Sequence, residues 1–131
     1  MPYLLDTHTF LWWVFDDPHL SFNAAQVLRD PQSDAYFSAV SAWEIAIKNQ
    51  LGRDDVIRLD RNPEEFVPQM VAAYGLISLP IEVGHALRIA SLPPLHRDPF
   101  DRLLVAQAQL EGLTILTADP AVAQYDVPVD W

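Results

Sequence analysis

The strand-like segments of this chain are short apolar runs rather than strict polar–apolar alternations, and helix-like stretches separate them. Tyr3-Leu4-Leu5, Ala35-Tyr36-Phe37, Leu76-Ile77-Ser78-Leu79 and Leu113-Thr114-Ile115-Leu116-Thr117 are of this kind. A strand that is apolar on both faces must be covered on both faces, and strands alternating with helices pair in parallel. The pattern therefore predicts an α/β fold with a parallel sheet covered by helices on each side. Strands are expected at about 3–6, 35–38, 76–79, 113–117 and near 127–129. Helices are expected at about 8–15, 21–30, 42–51, 63–74, 82–91, 99–111 and 120–124. Ser21 is placed to cap the second helix, and Gly52, Gly75 and Gly112 to close helices. The stretch 53–62, rich in Arg and Asp, reads as a surface loop, and Pro93-Pro94 enforces another.

Acids follow these runs in a repeated way. Asp6 ends the first apolar run, Glu44 lies shortly after the second strand, Asp101 opens a long apolar helix, and Asp119 follows the fourth strand. In a parallel α/β sheet such junctions share the carboxyl edge, where ligands bind. Carboxylates gathered there repel one another unless a cation lies between them, so the sequence predicts a metal site. Short hydroxyls accompany the acids: Thr7 beside Asp6, Ser41 before Glu44 and Thr117 before Asp119. Such groups orient carboxylates or hold a metal's water.

Each acid also has a purely structural reading. Asp98-Pro99 and Asp119-Pro120 match an N-cap followed by proline at the first helical position. Ser41-x-x-Glu44 matches a capping box with Glu44 at its third helical position. Asp6 is placed to cap the first helix, Asp101 to favour a helix dipole, and Glu44 to pair with Lys48 one turn on. Asp6 differs in following what reads as the central strand, where a buried carboxylate needs partners or a metal. Capping explains acids at helix starts, but not acids at several starts that the fold brings together.

Composition narrows the chemistry. The 131 residues suit one domain over 1–131, and half are hydrophobic. Without cysteine there are no disulfides, thiolate nucleophiles or Cys-ligated zinc. That fits a reducing cytoplasm, the expected location. No apolar stretch approaches the roughly 20 residues of a membrane helix, so no membrane partner is expected. A net charge of −10 argues against duplex binding through a broad basic face. It leaves room for a nucleic-acid enzyme, because a bound divalent metal reverses the local field. It also suits a basic protein partner.

Leu4-Leu5-Asp6-Thr7-His8, the stretch from Ser41 to Lys48, the stretch from Asp98 to Ala108 and Leu116-Thr117-Ala118-Asp119 occur in this order across nearly the whole chain. Together they resemble the PIN-domain family, and within it the VapC-type toxins of bacterial type II toxin–antitoxin modules. The resemblance implies a three-layer α/β/α sandwich with a five-stranded, mostly parallel sheet. It implies a Mg²⁺- or Mn²⁺-dependent endoribonuclease that hydrolyses RNA phosphodiesters with metal-activated water. It further implies a homodimer and a cognate antitoxin. By motif match Asp6, Glu44, Asp101 and Asp119 are the acidic tetrad, and Asp98 is either a further ligand or a cap. Asp6 and Asp101 are expected on the better-occupied ion, Asp119 on it directly or through water, and Glu44 on a second ion or as a proton acceptor. Thr7, Ser41, Lys48, Arg102 and Thr117 are supporting or substrate-contacting candidates, with Arg102 placed to brace the acids or to touch phosphate. His8 and His96 flank acids without zinc spacing, and keep open an attack by the RNA 2′-hydroxyl. Trp12 and Trp13 read as core with one partly exposed ring. Arg53, Arg58 and Arg61 read as a solvated loop.

Three rival readings remain. A phospho-receiver needs a lysine after a late strand, and the chain's one lysine is Lys48. An aspartyl-phosphate phosphatase needs an acid two residues after its nucleophile, where His8 stands. A non-catalytic metal- or partner-binding module is the third, opposed by the complete set of acids.

Overall fold

The strand β1 (Pro2–Leu5) lies at the centre of a sheet in which every pairing is parallel, in the order β3-β2-β1-β4-β5. The computed structural model describes residues 2–51 and 59–131. From β1 the chain passes through α1 (Thr7–Val14) and α2 (Phe22–Arg29) to β2 (Asp34–Ser38), then through α3 (Ala39–Leu51) and α4 (Pro63–Ala73) to the edge strand β3 (Ile77–Leu79). It returns across the sheet through α5 (Val83–Arg88), a 3-10 turn (Ile89–Ser91) and α6 (Pro99–Glu111) to β4 (Thr114–Leu116). It ends with α7 (Pro120–Ala123) and β5 (Val129–Asp130). Strand order thus reverses at β1, and the carboxyl end of β1 is the switch point at which an open parallel sheet leaves a crevice.

The apolar run of β1 is buried on both faces, as a central parallel strand requires. Leu4 packs with Leu103, Leu104 and Val105 of α6 on one face. Leu5 packs with Phe10 and Leu11 of α1 and with Phe66 and Val67 of α4, while Tyr3 meets Ala24 of α2. A fully buried Leu contributes about 1.5–3 kcal/mol. A one-residue slip of β1 would exchange its two faces and lose both packings, so the register, and with it the position of Asp6, is firmly set. Among the described residues no helix is long and apolar enough to cross a membrane.

Element boundaries differ from the sequence expectations in informative places. The helix α3 starts at Ala39, three residues before the expected 42, because it follows β2 with no loop. Ser38, the last residue of β2, accepts a hydrogen bond from the Val40 N–H (2.9 Å) and so serves the start of the helix locally. β1 ends at Leu5, which leaves Asp6 as the cap of α1. The last strand is Val129–Asp130 rather than 127–129, because its pairing with β4 begins at Ile115↔Val129, with the Pro128 carbonyl accepting from Ile115 N at its edge. Helix α5 stops at Arg88 and tightens into the 3-10 turn. Ser21 caps α2, and Gly112 closes α6 in the left-handed conformation (φ 67°), which a side chain would disfavour. The expected cap at Gly52 and most of the loop with Arg53 and Arg58 lie outside the described residues.

Candidate active site

Three aspartates sit at helix starts, and each divides its two oxygens between the helix and the space beside it. Asp6 caps α1, with Oδ1 accepting from Thr9 N (2.8 Å) and Oδ2 from the Thr117 hydroxyl. Asp98 caps α6, with Oδ1 accepting from Phe100 N (2.8 Å) and Asp101 N (3.3 Å), while Oδ2 lies 3.9 Å from Lys48 Nζ. Asp119 caps α7, with Oδ1 accepting from Ala121 N (2.9 Å) and Oδ2 3.9 Å from His96 Nε2. The capping reading and the site reading are therefore compatible: one oxygen satisfies the helix and the other meets Thr117, Lys48 or His96. Asp101, in the first turn of α6, places Oδ2 2.9 Å from His96 Nε2.

Glu44 departs from the expectation. Because α3 begins at Ala39, Ser41 and Glu44 lie inside the helix, and the expected capping box does not form. Glu44 is 3% exposed. Its Oε1 accepts from the Thr7 hydroxyl and its Oε2 from Lys48 Nζ. Ser41 Oγ lies 2.9 Å from Thr7 Oγ1, and since Thr7 has one hydroxyl proton and gives it to Glu44, Ser41 donates to Thr7. The hydroxyls thus serve acids from other junctions rather than their sequence neighbours. Thr7 supports Glu44, and Thr117 supports Asp6 while accepting from Asp119 N (3.0 Å).

These groups line one open cleft of about 410 Å³, with Asp6, Glu44 and Lys48 on its walls and His96, Asp101 and Asp119 beside them. Its electrostatics are those of crowded anions. Burial, followed by the charge of Asp98, pushes the Asp101 carboxyl up to about 7, with Glu44 and Asp6 adding and the His96 hydrogen bond opposing. Burial also raises Asp6 above its ordinary value, against the bonds from Thr117 and Thr9. Burial alone would lower Lys48, but the bond to Glu44 and the charges of Asp98 and Asp101 hold its ammonium above the usual range. One donor atom from each of His96, Asp98 and Asp101 lies within 4.8 Å of the others. The donors are carboxylate oxygens with one imidazole, a set that can hold a divalent cation.

Other candidates fall outside this cluster or enter it unannounced. Arg102, expected to brace the acids or touch phosphate, turns its guanidinium to the carbonyls of Pro93 (3.0 Å) and Ile89 (3.2 Å) and to the Tyr125 hydroxyl (3.2 Å). That hydroxyl also accepts from His96 N (3.0 Å), so Arg102 and Tyr125 anchor the segment carrying His96 without meeting an acid. Sequence reasoning gave His96 little weight, yet its ring stands between Asp101 and Asp119. The signal was its place just upstream of Asp98-Pro99-Phe100-Asp101. His8 is exposed at the rim of the cleft, with its ring 5.7 Å from that of Trp12. Trp12 and Trp13 are both half-buried, and Trp12 lines the cleft. Arg61 lies over Phe66, away from the acids.

Comparison with known proteins agrees with this fold. The family model of the PIN domain matches residues 3–128. No curated protein sequence matches. Among solved structures, a chain of VapBC2 from Rickettsia felis, bound to a DNA fragment from its promoter, is similar at 13% identity and TM-score 0.72, covering 99% of this chain and 98% of that one. A chain of VapBC-1 from nontypeable Haemophilus influenzae is similar at 17% identity and TM-score 0.64, covering 99% and 97%. A chain of FitAcB from Neisseria gonorrhoeae is similar at 21% identity and TM-score 0.59, covering 97% and 95%.

Proposed function

The chain belongs to the PIN domain family, whose members are generally nucleases, and on that footing we propose that it is a Mg²⁺- or Mn²⁺-dependent endoribonuclease of the VapC type. The single observation that carries this reading is the convergence of Asp6, Glu44, Asp98, Asp101 and Asp119 on one cleft at the switch point of the sheet. Asp101, pushed up to about 7 by burial and by its neighbours, is the mark of a site short of positive charge.

Asp101 would hold the cation together with Asp6 and Asp119 of the same cleft, and His96 and Asp98 each bring a donor atom within 4.8 Å of Asp101. When bound, such an ion lowers the pKa of water and neutralises charge on phosphate oxygens. The chain's own groups do the rest. Thr117 and Thr9 fix the two oxygens of Asp6, so its orientation does not depend on substrate. His96 Nε2, between Asp101 and Asp119, is placed to hold or pass a proton at the lip of the cleft. The rim histidine His8 offers the cleft a polar contact for phosphate. With a net charge of −10 the chain has little general attraction for nucleic acid, which favours an unpaired RNA segment presented to the cleft over a duplex.

The similar solved structures are toxin–antitoxin complexes, and this supports a cognate antitoxin as partner, its basic groups complementing the acidic surface. A homodimer and a cytoplasmic location belong to the same reading, as does a single domain over 1–131. The test is direct. Purified chain is expected to cut RNA in Mg²⁺ or Mn²⁺, to stop in EDTA, and to leave 5′-phosphate and 3′-hydroxyl ends. Full activity in EDTA, or 2′,3′-cyclic phosphate ends, would overturn the mechanism.

A further inference from the structure

The chain contains one lysine, and it stands in the acidic cleft. Lys48 Nζ bonds Glu44 Oε2, lies 3.9 Å from Asp98 Oδ2 and sits 5.6 Å from the centre of the Phe100 ring. The ammonium is therefore held from three directions, two of them anionic and one aromatic. Its partner is held as firmly. Glu44 is almost wholly buried, its second oxygen is taken by Thr7, and Thr7 is fixed in turn by Ser41. Glu44 precedes Lys48 by four residues on α3, the favourable order for such a pair. Among the described residues Asp6, Asp101 and Asp119 make no ion pair with Lys or Arg; His96 is the basic group beside Asp101 and Asp119, and the charge of Asp101 reaches Lys48 without a bond.

We infer that Lys48 is a built-in counter-ion that takes the place of a second divalent cation beside Glu44, so that the cleft binds one ion tightly, on the side of Asp101 and His96. Glu44 then serves as the anchor of Lys48 and is a positioning residue rather than a ligand of that ion. The physical reason is exclusion: an ammonium seated between Glu44 and Asp98 repels a dication from the same two carboxylates and engages the oxygens it would need. This rests on the metal-dependent reading above and adds to it the number of ions and the division of the acids.

The experiment is a Mn²⁺ titration of the whole chain without RNA, followed by calorimetry and by the loss of the free-ion paramagnetic resonance signal. The parent is expected to bind one Mn²⁺ per chain. Lys48→Met is expected to gain a second site at least about tenfold tighter than any second binding in the parent, and Lys48→Arg to return to one. Glu44→Gln is expected to keep the single site within about threefold of the parent's affinity, whereas loss of a true ligand would weaken it beyond the roughly 10–100-fold cost of a supporting group. Two equal sites in the parent, an unchanged stoichiometry in folded Lys48→Met, or a tenfold loss in Glu44→Gln would each overturn the inference while leaving the metal-dependent reading standing. If Lys48→Met fails to fold, Glu44→Gln decides alone. A parent that binds no Mn²⁺ overturns both.

Discussion

At the β1–α1 junction the acid is itself the helix cap, whereas at the β2–α3 junction the helix starts at once and the acid arrives within it. Asp6 leans on the Thr9 N–H, and its position is fixed by the end of a central strand. Glu44 has no free N–H to lean on, because the helix bonds of α3 use the main chain around it, and it is held by Thr7 and Lys48 instead. Asp6, at its cap, borrows its support from the backbone and has no ion pair of its own among the described residues. An acid inside a helix, buried as deeply, requires a counter-charge of its own. The same cleft thus has one acid held by hydroxyl and main chain alone and another that carries its own ammonium.

The largest test of this contrast is Asp6→Asn, which keeps a capping oxygen for α1 and removes the charge. RNA cleavage is expected to fall by more than about 100-fold, the upper range for loss of a group that merely supports a metal ligand, with the circular dichroism spectrum unchanged. Cleavage within a few-fold of the parent would place the reaction elsewhere. Next in size is the effect of the ion on folding. Mn²⁺ at about 100 times its dissociation constant is expected to stabilise the chain by about 2.7 kcal/mol, read as a rise in melting temperature. Asp101→Asn should lose most of that rise, and an equal rise in the variant would separate the ion from the acids.

The third test uses pH. Asp101 has a folded value of about 7 against 3.8 for the ordinary carboxyl. A carboxyl raised in this way binds its proton more tightly when folded, so its contribution to stability falls as pH climbs through that window and is constant above it. Asp6 acts in the same direction. In metal-free protein, Asp101→Asn is therefore expected to gain stability over the parent as pH rises from about 4 to about 7, measured by urea midpoints. A difference independent of pH would show that the crowding of Asp101 is relieved by movement. The smallest effect belongs to capping alone. Asp98→Ala is expected to cost about 1 kcal/mol through loss of the α6 cap, and Asp98→Ser to recover most of it. Equal losses would mean that the charge beside Lys48 matters more than the cap.

The parallel sheet was legible because β1 and β4 are apolar on both faces, a pattern that only a doubly covered strand tolerates. The positions of Asp6, Asp98, Asp101 and Asp119 were legible because proline, or the end of an apolar run, marks where each helix starts. Glu44 was misread locally. Ser41-x-x-Glu44 is a good capping box on its own, but β2 runs into α3 without a loop, and that is decided by packing across the sheet rather than by the four residues concerned. The partnerships of Thr7 with Glu44 and Thr117 with Asp6 were illegible for a related reason: each hydroxyl sits beside one acid in sequence and reaches another in space. Arg102 next to Asp101 shows the converse, since neighbours on a helix point in different directions. His96 stands just upstream of Asp98-Pro99-Phe100-Asp101, but its place between Asp101 and Asp119 depends on the path of the segment after Pro93-Pro94.

The Tyr125 hydroxyl, buried beyond the end of α7, receives a bond from the main chain of His96 and another from Arg102. The imidazole at the lip of the cleft is thereby tethered by a phenol that takes no part in the acid cluster. Exchanging that phenol for a phenyl ring would slacken the histidine while leaving every formal charge in place, a mechanical handle on the imidazole alone.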